Sequence, residues 1–197
     1  MAGTRMRSRL LHFAILIICL TSASAQQVVF DLDPAKTTVQ FTLGDIIHTV
    51  HGTFKAKSGR VTFDPGTGEA SGQFIIDVTT GDTSNRTRDR KMHKEILESE
   101  KFPEATFTPT KVTGTIATQG DSTVEVQGTF RLHGTDHEMK LSVPLRTSGT
   151  DLIAKLHFVI PYVDWGLKDP SNFVLRVSKQ VEVDIIAPGH FAPARTQ

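Results

Sequence analysis

The sequence predicts an all-β domain of antiparallel strands, a sandwich or a closed barrel of about eight strands, carrying one short helical insertion. Three observations predict it. Nearly every segment after Gln26 alternates apolar and polar residues with period two, as strands with one buried face do. The segments are separated by compact turn clusters, DPGTGEASG, TQGD, HGTDH and TSGTD. Connections so short force neighbouring strands to run antiparallel, because a parallel crossover takes about a dozen residues or more.

The N-terminus stands apart from this pattern. Arg5, Arg7 and Arg9 precede an apolar run from Leu10 to Leu20, followed by TSASAQQ. The run is shorter than the roughly 20 apolar residues a membrane-spanning helix needs, and Ala23 and Ala25 are the small residues that a signal peptidase reads before its cut. Residues 1–25 are therefore expected to be a Sec-type signal peptide cleaved after Ala25, and the chain to be periplasmic or secreted. Cys19 follows Ile17 and Ile18 and lacks the small residue that a lipid-attachment motif places immediately ahead of its cysteine.

Loss of residues 1–25 removes three of the 22 basic residues and none of the 21 acidic ones, so the mature chain carries a formal charge of −2. That balance does not suggest a nucleic-acid surface. The single cysteine leaves with the signal, which excludes disulfide, zinc-finger, thioredoxin-like and cysteine-nucleophile chemistry from the mature protein. The remaining 172 residues are ample for one core.

Taken in order, Val39, Phe41 and Leu43 share one face while Gln40 and Thr42 share the other. Val124, Val126, Gly128, Phe130 and Leu132 alternate against Thr123, Glu125, Gln127, Thr129 and Arg131. The pattern returns in Met139, Leu141, Val143 and Leu145, then from Leu152 through Ala154, Leu156 and Phe158 to Ile160, and then in Val181, Val183 and Ile185. From about Asp82 to Glu100 the period changes: Met92, Ile96 and Leu97 fall at helical spacing, and Pro103 stops the run. This helix is expected to lie over one end of the barrel. No linker or repeat divides the rest, so residues 26–188 read as one domain and residues 189–197 as a polar tail. Closure into a barrel has the advantage of removing exposed edges. Whether the interior is filled or hollow turns on the size of the inward residues, which the period alone leaves open.

Few residues suggest chemistry. His48 and His51 lie three apart, a spacing that points side chains to opposite faces of a strand. His133 and His137 flank a tight turn, but no carboxylate or cysteine spacing completes a metal site around them. Arg88 and Asp89, with Arg90, His93 and Glu95, read either as an anion or acid–base group or as structure, with Asp89 capping or charging the first helical turn and Arg88 anchoring the helix to the barrel. The structural reading is preferred. No nucleophile elbow, phosphate loop or glycosidase carboxylate pair is present, and no cofactor motif.

Several ordered pieces of the chain carry a resemblance: DPAKTTVQFTLG followed by HTVHGTF, then SGRVTFD, TRDRKMHKEILESEKFPEATF, VQGTFRLHGTDHEMKLSVPL, DWGLKDPSNF and VEVDI. On these the chain resembles the YceI-like, polyisoprenoid-binding, lipocalin-like proteins of bacteria over roughly residues 28–187. The Arg88-Asp89 pair with Met92, the KFPEATF segment and the GTFRLHGTDHE hairpin are the most specific. The resemblance implies an exported lipocalin-like barrel with a helical insertion near one mouth, and a tunnel for an isoprenoid or fatty-acyl chain. It implies no catalytic residues. Where many relatives have a single histidine ahead of the VxGxF segment, this chain has His48 and also His51.

The ligand contacts expected within such a tunnel are Phe41, Phe54, Phe63, Phe74, Ile76, Phe107, Phe130, Leu141, Val143, Phe158 and Trp165, with Trp165 either lining the tunnel or plugging its end. The expected function is a carrier, store or sequestering protein for an isoprenoid or other long-chain lipid, and not an enzyme. A homodimer is compatible with the sequence. Two other functions compete with it: an enzyme acting on such lipids with His48 or His133 as base, and a barrel scaffold that binds a protein partner through polar loops.

Overall fold

A computed structural model describes residues 27–44, 49–171 and 176–193 of the chain; the expected signal segment, Cys19 and His48 lie outside them. The strands are β1 (Val28–Leu32), β2 (Thr38–Gly44), β3 (Thr49–Phe63), β4 (Ala70–Asp82), β5 (Glu104–Thr113), β6 (Gln119–Leu132), β7 (Thr135–Ser148), β8 (Asp151–Ile160) and β9 (Val181–Pro193). A helix, α1 (Arg86–Lys91), and a π-helical turn, Met92–Ile96, lie between β4 and β5. Among the described residues no helix is long and apolar enough to cross a membrane.

Every pairing is antiparallel, and the sheet closes into a barrel rather than a sandwich. Nine strands fill eight places, because β1 and β2 share one. Both lie between β9 and β3: β1 pairs Val28 with Phe63 and Pro193, and β2 pairs Val39 with Phe54 and Ile185. They are two halves of one strand, broken where Pro34 lacks an amide donor and Asp33 accepts from the Ala35 amide through Oδ1 and from the Lys36 amide through its carbonyl.

The alternation read from the sequence sorts the two faces. Val39, Phe41, Val124, Phe130, Leu141, Val143, Leu145, Leu152, Ile160, Val183 and Ile185 are buried inside. Outside, opposite charges face each other at paired positions: Asp31 with Arg60, Asp121 with Arg146, Arg131 with Asp136. Such exposed pairs contribute little energy each, but a one-residue slip would bury them and expose the apolar set, so they help to fix register.

Two segments differ from expectation. Helical structure spans Arg86–Ile96, within the wider range of about Asp82 to Glu100, and its N-cap is Asn85, whose side chain accepts from the Thr87 and Arg88 amides at 3.1 Å each. Asp89 is the acid of the first turn and reaches back to the Thr83 amide and hydroxyl. At the other terminus, β9 runs through residues 189–193, the first part of the expected polar tail, and pairs with β1 as far as Pro193. Pro188 reads as a stop, yet Ile185, Ala187, Gly189 and Phe191 keep the inward alternation across it.

The barrel wall has a seam between β7 and β8. Strand β7 pairs with β6 along its whole length, but with β8 only from Leu145↔Ala154 to Ser148↔Asp151. Towards the helical insertion β7 and β8 diverge, and the turn after β8, where Leu167 donates to the Tyr162 carbonyl at 3.0 Å, packs alongside them.

Candidate functional site: a two-chambered barrel interior

The interior is hollow at both ends. A cavity of about 320 Å³ lies under the helical insertion, walled by inward residues of β2, β3, β4, β8 and β9, including Phe41, Phe54, Val78 and Ile160. The helical segment supplies its cover. Met92, Ile96 and Leu97, spaced as a helical face in the sequence, all line it, and the π turn, closed by the Leu97 amide donating to the Met92 carbonyl at 2.9 Å, aligns them. His93 locks this cover to the barrel. Its Nε2 donates to the Gly81 carbonyl at 2.9 Å, which leaves Nδ1 to accept from the buried Ser99 hydroxyl at 3.0 Å.

The rim of this cavity is polar and cationic. Arg88 and Lys91 reach it from the exposed side of α1. The Arg88 guanidinium donates through Nε to the Thr83 hydroxyl at 2.7 Å and through Nη2 to the Thr83 carbonyl at 2.8 Å, while that hydroxyl donates to Asp89 at 2.5 Å. Arg88 therefore anchors the helix to the end of β4, and this carbonyl and hydroxyl contact is what fixes its position at the mouth. Lys168, just past the turn after β8, pairs with Glu95 of the π turn at 2.7 Å and holds the Glu95 carboxyl below its ordinary pKa. On the cavity wall Tyr162 is buried and donates to the Ser178 carbonyl at 2.7 Å; burial, reinforced by Asp169, pushes its phenol up to about 12.

A second cavity of about 150 Å³ occupies the far end, walled entirely by apolar side chains. Phe63, Phe74, Phe107, Leu141 and Val143 line it, joined by Phe30 and Phe191 from the strands that close this end. Ile76, Phe130 and Phe158 face both cavities and separate them.

Of the eleven expected contacts, ten line one cavity or both. Trp165 lines neither. It stacks on His137 with ring centroids 3.8 Å apart and planes 7° apart, and meets Phe130 at 6.0 Å. His137 is paired with Phe130 across β6 and β7, so its side chain lies on the same inward face. The indole thus wedges into the seam in the side wall, not into either end of the tunnel. His133 and His137 do not converge on one ion: His133 bonds Glu98 at 2.8 Å and lies against Phe102. Among the described residues no three His, Cys, Asp or Glu side chains cluster as metal ligands would.

Comparison with known proteins places this architecture. The model of the YceI-like domain matches residues 30–187. The chain belongs to the YceI-like family. It is 29% identical to the protein YceI of Salmonella newport over 151 residues, covering 74% of this chain and 76% of that one. It is 31% identical to a UPF0312 protein of Pseudomonas putida over 149 residues, covering 71% and 73%. Among solved structures, a polyisoprenoid binding domain from Saccharophagus degradans superposes with a TM-score of 0.67 at 20% identity, covering 82% of this chain and 97% of that one. Burkholderia cenocepacia BcnA gives 0.66 at 19%, covering 80% and 99%. At these identities the two structures establish the shared fold.

Within the YceI-like barrel, sequence reasoning placed the helix over one end but missed its side chains as cavity lining, and it missed the far-end closure. Met92, Ile96 and Leu97 carried a visible signal, helical spacing in a strand-rich chain, but were not among the eleven expected contacts. Phe191 was hidden behind Pro188. Arg88 was read as an anchor, which it is, and its place on the cavity rim follows from that anchoring.

Proposed function

We propose that this protein is an exported lipid-binding protein that holds one polyisoprenoid or fatty-acyl-type chain in the barrel interior, as a carrier or sequestering protein. One observation supports this above the others: a barrel interior that leaves about 320 and about 150 Å³ unfilled behind walls that are almost wholly carbon. Such a space accepts a hydrocarbon and offers little to a polar solute. The similarity in fold to a polyisoprenoid binding domain points the same way, and the signal-like residues 1–25 support export.

Magnitudes favour the reading. An engineered cavity of about 150 Å³ holds benzene, six carbons, so the two chambers together take about eighteen. At about 0.8 kcal/mol per methylene that is roughly 14 kcal/mol gross, enough for a Kd of about micromolar or better once association costs are subtracted. Arg88 and Lys91 stand where the head group of such a chain would emerge.

The test is purification from the native host, organic extraction and mass spectrometry. One long-chain lipid per protein molecule is expected. Val143→Trp, which narrows the far-end cavity, should lower lipid recovery while a polar loop substitution such as Thr118→Ala does not. Repeated recovery of an empty barrel, together with no uptake of added lipid, would overturn the proposal.

A further inference from the structure

The two cavities share part of their lining, and the three side chains that face both come from alternate strands: Ile76 on β4, Phe130 on β6 and Phe158 on β8. Because all three line both cavities, they lie where the two meet. Ile76 and Phe130 are buried, and the rings of Phe130 and Phe158 meet edge to face, 6.1 Å apart. Phe130 is held in turn by Trp165, and Trp165 by the ring of His137. A row of four rings thus runs from the seam in the wall to the barrel axis.

We propose that Ile76, Phe130 and Phe158 form a waist that sorts bound chains by length, and that Trp165, wedged between β7 and β8, is the positioning residue that holds the waist closed. This rests on the lipid-binding reading above and adds a selectivity to it. A tail of up to about twelve carbons fills the helix-end cavity of about 320 Å³ without displacing the waist. A longer tail must turn Phe158 or Phe130 aside before it gains the far-end cavity.

The chain contains one tryptophan, so indole emission reports on the waist without labelling. Straight-chain 1-alkanols of about eight to about eighteen carbons are titrated by calorimetry and by fluorescence. Binding should tighten roughly fourfold per methylene up to about twelve carbons, then gain little over the next few, then resume. Trp165 emission should shift only for tails beyond the break. Phe158→Ala should abolish the break, and Ile76→Ala, on another strand, should do the same; Trp165→Phe should soften the break without removing it. A single unbroken slope in the wild-type protein, an emission shift already complete with the shortest alkanol, or a break that survives both alanine variants overturns the waist while leaving lipid binding in place. Failure of every alkanol to bind overturns both.

Discussion

Phe41 illustrates how one inward ring depends on the absence of a side chain opposite it. Gly52 is its partner across β2 and β3, and a Cβ built there would lie 2.3 Å from the Phe41 ring and 2.9 Å from the Asp82 carbonyl. The ring lies where an alanine methyl would be. Gly52→Ala should therefore push Phe41 into the helix-end cavity, and lipid capacity measured by extraction should fall at least several-fold while far-ultraviolet circular dichroism stays that of a β-barrel. Unchanged capacity would show that Phe41 has somewhere else to go. Tyr162 makes a second prediction on the same wall. It is the only tyrosine in the chain, and its pKa is pushed up to about 12 by burial and then by Asp169. Because the folded state holds the proton more tightly than the unfolded chain, the stability this contributes is intact below the ordinary value of 10.0 and drains away as pH rises towards about 12. Titration of tyrosinate absorbance should give a midpoint near the upper figure, and Tyr162→Phe should flatten the loss of stability between the two. A midpoint at the ordinary value would mean that the phenol is not sequestered on the cavity wall.

The helical insertion is the element with the least intrinsic support. Its regular helix is six residues long, too short to form alone, so it depends on the Asn85 cap, the Arg88–Thr83–Asp89 contacts and His93. Asn85→Ala should cost about 0.5–2 kcal/mol, and the loss should fall on this segment. Hydrogen exchange should speed up for amides of residues 87–97 and the release of bound lipid should quicken, while the barrel's melting temperature moves little; a uniform change across the barrel would contradict the separation of cover from wall. This element also marks where the sequence stopped being legible. Strand faces could be read because burial on one side writes itself into period two, and for Phe130 to Leu132 or Leu141 to Leu145 that was sufficient. Of the two roles expected for Asp89, it takes the charge in the first turn and Asn85 takes the cap, because both carry side-chain acceptors and only the chain's path into the helix selects between them. The seam between β7 and β8 left no trace in the pattern, since a strand that loses one neighbour keeps the same alternation. For that reason the position of Trp165 could not be read, although the ring itself was noticed.

At the scale of the whole molecule, the hollow interior is a stability cost that the rest of the barrel must carry. At about 24 cal/mol per Å³ of cavity, the roughly 470 Å³ in the two chambers amounts to about 11 kcal/mol relative to a filled core, as large as the net stability of an ordinary domain. Closure of the sheet offsets part of this by leaving few free edges, and the remainder is what a ligand restores. Stability and occupancy should therefore be linked. Lipid at about one hundred times its Kd should stabilise the fold by about 2.7 kcal/mol, which for a domain of this size raises the melting temperature by roughly 5–10 °C. Binding should also show a negative heat-capacity change, the mark of buried apolar surface. Calorimetry on delipidated and reloaded protein measures both. A ligand lodged on the outer face of β8 and β9, where Ile153, Val159 and Ile186 are exposed, would instead remain unaffected by Val143→Trp, because that substitution changes only the interior. The combination expected here is a melting shift that Val143→Trp reduces and that Ile186→Ser leaves intact; the reverse pattern would move the binding site from the inside of the barrel to its surface.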